Sequence, residues 1–166
     1  MLHRAFKKLD KTLTFDVASA HCDIPCKIYD PSTATIAALS VVRMIDLMEE
    51  LHNKKDSSLQ AMNTFNRYVR EKEDQARICK NEIIIIWGDY FKQPQLEKFP
   101  EVHGLVHSIM MAASKTKQEP SREAGLKLVD LVNQFAEIFW QTKNVKTKRA
   151  TCPFPPSLEV VYPELG

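Results

Sequence analysis

Glycine is scarce: four residues in 166, too few for a turn-rich sheet protein, and with 27% charged residues the balance favours helices. Charge of one sign is also lacking. The 23 basic and 21 acidic residues interleave and leave a formal charge of +2, which argues against a nucleic-acid partner. No apolar run approaches the roughly 18 residues of a membrane-spanning helix; the longest, Ile83 to Trp87, is short. The expectation is a soluble protein with no membrane partner. There is no Gly-rich phosphate loop and no Gly-x-Ser-x-Gly elbow, so nucleotide binding and hydrolase chemistry are disfavoured. An export signal is missing too, because Lys11, Thr12, Thr14 and Asp16 interrupt any apolar stretch before Ala18-Ser19-Ala20. The default compartment is therefore the reducing cytoplasm, with organelle targeting open in a eukaryotic cell. Cysteines number four, at 22, 26, 79 and 152, and in a reducing compartment they stay available for metal or redox chemistry instead of forming a disulfide framework.

What is present is enough apolar material, 44%, for one core. Asp30-Pro31 reads as a capping carboxylate followed by a proline at the first helical position. A helix over about 31–53 follows, with Ile36, Leu39, Val42, Ile45, Met48 and Leu51 at near-helical spacing. A second starts near Ser57 or Ser58 and runs to about Phe91, and its isoleucines 83–86 read as a deeply buried helix end, since no second strand-like run stands nearby. A third covers about Gln95 to Lys115 with Pro100 as a kink or restart, and a fourth opens at Pro120-Ser121 and reaches about Lys143. Four amphipathic helices with short connections predict an all-α, antiparallel four-helix bundle. Residues 144–166, with four prolines, are expected to form an extended tail that packs incompletely, if at all.

The chemistry concentrates in His21-Cys22-Asp23-Ile24-Pro25-Cys26. Two thiolates and an imidazole within six residues form a metal or redox pattern of moderate specificity; zinc sites more often use Cys-x-x-Cys twice, and a chance pair of cysteines is the bland reading. The small residues Ala18-Ser19-Ala20 look like a processing site, although a leader that is never removed is the equal alternative from that segment alone. Cleavage between Ala20 and His21 by a maturation protease would give His21 a free α-amine. That amine, the Cys22 amide nitrogen if deprotonated, and the thiolates of Cys22 and Cys26 make a square-planar N2S2 set, suited to Ni(II) or Cu(II) and not to tetrahedral zinc, with the His21 imidazole able to reach an axial position. Loss of residues 1–20, with four basic and two acidic side chains, also brings the formal charge to about zero.

The run from His21 to Pro31 closely resembles the metal-binding hook of nickel superoxide dismutases, generally His-Cys-Asp-x-Pro-Cys-Gly-x-Tyr-Asp-Pro. Two further blocks agree in order: Trp87-Gly88-Asp89-Tyr90-Phe91-Lys92, followed by Phe99-Pro100-Glu101-Val102-His103, and Ile138-Phe139-Trp140-Gln141-Thr142-Lys143. The resemblance spans about residues 21–143. It implies a 1–20 propeptide, a 21–143 four-helix domain with its hook at 21–30, and assembly as a homohexamer. It also implies one nickel ion per subunit, bound by His21, Cys22 and Cys26, and disproportionation of superoxide through a Ni(II)/Ni(III) cycle. By the same resemblance Tyr29 and Tyr90 stand near the open face of the metal, while Asp23 and Asp89 help fix the hook; the residues alone would make those tyrosines ordinary half-buried packing.

Lys27 replaces the family's usual glycine, and its charge could help attract an anion. Ala37 and Gln75 occupy positions where some members hold the axial imidazole with a glutamate and an arginine, so this chain departs from the family at that support. His103 and His107, four apart, suit a surface or interhelix role better than a metal face, and Cys79 reads as a buried, inert thiol. The rival functions are a non-catalytic zinc- or copper-binding helical module, and a helical interaction protein whose cysteines are incidental.

Overall fold

The computed structural model describes residues 28–165, which form five α-helices, one π-helical turn and one two-stranded antiparallel sheet. Helix α1 is Ser32–Asn53. Asp30 caps it, its Oδ1 accepting the Ser32 N–H at 2.7 Å, and the Thr35 N–H closes the first turn on the Pro31 carbonyl at 3.0 Å. The buried stripe is Ala34, Ala37, Ala38, Val41, Val42, Ile45 and Met48, together with Leu39. Ile36, expected on that face, is instead 55% exposed, because at about 100° per residue it lies across the helix from Ala34, Ala38, Val41 and Ile45. The buried face approaches a later helix closely at Gly125, where a β-carbon would stand only 2.9 Å from Val42 Cγ2.

Helix α2, Leu59–Ile85, begins as its sequence suggests: Ser58 Oγ accepts the Ala61 N–H at 3.2 Å, and Asp56 Oδ1 accepts the Ser58 N–H at 2.8 Å. The isoleucine run is its end, but burial alternates. Ile83 and Ile86 lie in the core while Ile84 is 45% exposed, so one face of the helix is buried and not the whole circumference. At Ile86–Tyr90 the chain widens into a π-helical turn, and the Phe91 N–H reaches back five residues to the Ile86 carbonyl at 3.3 Å.

The expected third helix is divided at Pro100, where the missing N–H forces a restart. The pieces are α3, Gln93–Lys98, and α4, Val102–Gln118. The carboxyl end of α4 is capped from across the fold by Lys72, buried on α2, whose ammonium donates to the carbonyls of Thr116 and Lys117. Burial pulls the Lys72 pKa below its ordinary value. Helix α5, Arg122–Thr142, starts at Ser121, whose Oγ accepts the Ala124 N–H at 3.2 Å. Helix α1 packs on α2 and α5, and α4 packs on the same two, so each long helix faces two others around Phe135, Phe139, Ile45, Ile109 and Leu128.

The expected loose tail is corrected by the structure. Strands β1, Thr147–Thr151, and β2, Glu159–Pro163, pair antiparallel from Thr147 opposite Pro163 to Thr151 opposite Glu159. Cys152 and Val160 join the main core. The hairpin stays on α5 because the buried Asn133 side chain hydrogen-bonds the free edge of β2, and because Arg149 pairs with Glu137 at 2.8 Å.

Candidate functional site

Tyr29 lies three residues before α1, where the chain enters from residue 27, and its ring sits 5.7 Å from that of Tyr90 at an interplanar angle of 50°. The π-helical turn delivers Tyr90 to this place and Phe91 to the core behind it. Tyr90 packs on Phe139 at 5.0 Å and edge-on to Phe91 at 5.4 Å, and Phe91 meets Phe135 at 5.7 Å. Two residues 61 positions apart in sequence thus meet through one bend in α2 and a wall of aromatic side chains on α5.

The Tyr90 hydroxyl lies 2.5 Å from Thr142 Oγ1, and Thr142 Oγ1 lies 2.6 Å from the Phe139 carbonyl. A threonine hydroxyl has one proton, and the carbonyl can only accept, so the direction is settled: Thr142 donates to Phe139, and Tyr90 donates to Thr142. The phenolic oxygen keeps its lone pairs for a further donor. Above the ring lies a cation, the ammonium of Lys143, 4.7 Å from the Tyr90 centroid and 5.1 Å from that of Phe139. Neither Thr142 nor Lys143 was singled out from sequence as a site residue. Their signal was present, since they stand three and four positions after Phe139 and so share its helix face.

The other candidates separate clearly. His21, Cys22, Asp23, Cys26 and Lys27 lie outside the described residues. Asp89 is exposed on the π-helical turn, and among the described residues its carboxylate takes part in no hydrogen bond or ion pair. His103 takes the interhelix role: its Nδ1 accepts the Trp87 Nε1–H at 3.1 Å, with the rings edge to face. His107 is exposed, and among the described residues no group of three or more His, Cys, Asp or Glu could hold a metal. Ala37 is a core residue without a polar atom, and Gln75 donates to Glu71 at 2.7 Å.

The two described thiols are poor metal donors. Cys79 is fully buried, and desolvation, with the nearby Glu82 charge adding to it, pushes its pKa up to about 12. Cys152 is buried and donates to the Phe154 carbonyl. The chain's other two cysteines, Cys22 and Cys26, lie outside the described residues. As the expected donor set, two soft thiolates with the nitrogens of His21 and Cys22 would fit nickel by their chemistry.

The sequence profile of the family described as nickel-containing superoxide dismutase matches residues 16–143. The nickel superoxide dismutase of Streptomyces coelicolor is 38% identical over 125 residues, covering 75% of this chain and 89% of that protein, and the one from Streptomyces seoulensis is similar to the same extent. Among solved structures, a native nickel superoxide dismutase gives a TM-score of 0.64 at 36% identity, over 74% of this chain and 99% of that one. A structure with nickel ligation of the oxidised state gives 0.65 at 35% identity, over 75% and 99%. The chain therefore belongs to the nickel-containing superoxide dismutase family.

Proposed function

We propose that this protein disproportionates superoxide with one nickel ion per subunit, held by the His21 amine and imidazole, the Cys22 thiolate and amide nitrogen, and the Cys26 thiolate. The observation that carries the assignment of the site is the packing of Tyr29 on Tyr90 where the chain arrives from the hook, in a chain whose described cysteines are both buried. Bound nickel supplies a one-electron Ni(II)/Ni(III) couple, made accessible by anionic sulfur and amidate donors. Over one cycle, two superoxide anions and two protons become one dioxygen and one hydrogen peroxide.

The protein's own residues order the approach. Because the Tyr90 proton is committed to Thr142, the Tyr90 oxygen acts as an acceptor, holding a water whose other proton points toward the incoming anion. Tyr29 forms the opposite side of the entrance, and Asp23 and Asp89 tie the hook to the helical body. Further proposals complete the picture: the four long helices form an antiparallel four-helix bundle carrying an amino-terminal hook, six copies assemble as a homohexamer, and the enzyme works in the cytoplasm or in an organelle.

Maturation follows from the ligand set. With His21 internal there is no α-amine, so the unprocessed chain is inactive, and cutting between Ala20 and His21 creates the site. Protein beginning at His21, loaded with nickel, is expected to consume superoxide with one nickel per chain, whereas the 166-residue chain treated alike does not. Inactivity of the nickel-loaded protein beginning at His21 would overturn the proposal.

A further inference from the structure

Superoxide is a monoanion, and the processed chain has a formal charge of about zero, so attraction must come from a local charge. Lys143 is such a charge. It ends α5, and the backbone around it is held by two hydrogen bonds: the Asn144 N–H to the Gln141 carbonyl at 3.1 Å and the Val145 N–H to the Trp140 carbonyl at 3.0 Å. Asn144 takes the left-handed conformation, φ 57°, that such a helix terminus requires. From this fixed point the half-buried side chain lies over Tyr90 and Phe139, 4.7 and 5.1 Å from their ring centroids. It makes no ion pair among the described residues, although seven are formed elsewhere in that set.

A lysine at a helix carboxyl end also offsets the helix dipole, and that role alone would leave the side chain free in solvent. Here it is drawn over the ring that packs against Tyr29. We propose that Lys143 is a substrate-positioning residue: its ammonium, held over Tyr90 and Phe139 and without an ion-pair partner among the described residues, holds the small anionic substrate beside the Tyr29–Tyr90 pair. For superoxide this rests on the function proposed above, but attraction of a small anion does not depend on nickel and can be measured without it.

Trp140 gives the readout, since its ring is 5.1 Å from Phe139 and it is one of two tryptophans. In metal-free protein beginning at His21, with Trp87→Phe to leave a single reporter, quenching by iodide is compared with quenching by neutral acrylamide. Lys143→Gln is expected to lower the iodide constant about two-fold at low ionic strength and leave the acrylamide constant unchanged, and Lys143→Arg to restore the iodide value. In nickel-loaded protein, Lys143→Gln is expected to reduce kcat/KM about three- to ten-fold at low ionic strength, the difference closing near 1 M salt, with Lys143→Arg close to wild type. Equal iodide quenching in the lysine and glutamine forms would overturn the proposal, as would an unchanged salt dependence of an active enzyme. Lys143-dependent iodide quenching in a protein inert toward superoxide would uphold the anion site and reject the superoxide reading.

Discussion

The amide of Asn133 completes the edge of a β-strand: its Oδ1 accepts the Val161 N–H at 3.1 Å while its Nδ2 donates to the Glu159 carbonyl at 3.0 Å. Removing it leaves two backbone groups without partners beneath the hairpin. Asn133→Ala is expected to destabilise by about 2–3 kcal/mol, lowering the melting temperature by roughly 4–12 °C. Amide exchange at Val161 should accelerate well before that of the α5 core. If Val161 remains as protected as Phe135, the hairpin is held by something other than this side chain.

Thr142 joins Tyr90 to the end of α5, so Thr142→Val tests that link without touching either tyrosine. Losing a partly buried hydrogen bond costs about 1 kcal/mol, and the freed phenol turns its proton outward. The expected result is a modest fall in melting temperature with a larger, several-fold fall in superoxide turnover. Unchanged turnover would show that the direction of the Tyr90 proton does not matter.

Close approach of α1 and α5 depends on Gly125. A β-carbon 2.9 Å from Val42 Cγ2 forces the Val42 side chain or the helix spacing to shift, so Gly125→Ala should cost about 1–3 kcal/mol despite alanine's better helix propensity. Val42→Ala in the same chain removes the clashing methyl. In chemical denaturation, the double variant should therefore be more stable than the sum of the single changes predicts.

Cys79 sets an alkaline limit on stability. Its folded pKa of about 12 lies above the ordinary 9.0, so its contribution is complete below pH 9 and is lost as pH rises toward 12, where the unfolded thiol ionises and the folded one does not. One such group gives a slope of at most about 1.4 kcal/mol per pH unit. Cys79→Ala should flatten denaturation midpoints across pH 9–12 by that component. In the folded wild type, Cys79 should also resist thiol reagents at pH 8 while Cys22 and Cys26 of metal-free protein react.

The sequence by itself determined what is local. Asp30, Ser58 and Ser121 announce helix starts because each side chain bonds an amide two or three residues away, and Pro100 forces a restart because it carries no N–H. The proposed donors His21, Cys22 and Cys26 are a local reading of the same kind, since their chemistry depends on six consecutive residues, which lie outside the described part of the chain. Tertiary structure decided everything that joins distant segments. The Tyr90–Thr142 bond spans 52 positions, and nothing in either local window orients those hydroxyls toward each other. Ile36 recurs with the other apolar residues yet faces outward, because the face of α1 that packs, and that meets Gly125 through Val42 and Ile45, lies on the other side of the helix. The carboxyl-terminal hairpin was hidden by its prolines and polar strand β1, and it exists because Asn133 and Glu137 on α5 provide an edge and a charge that the segment lacks alone. Lys143 reads in sequence as a helix-ending cation, and only the fold sets it over Tyr90.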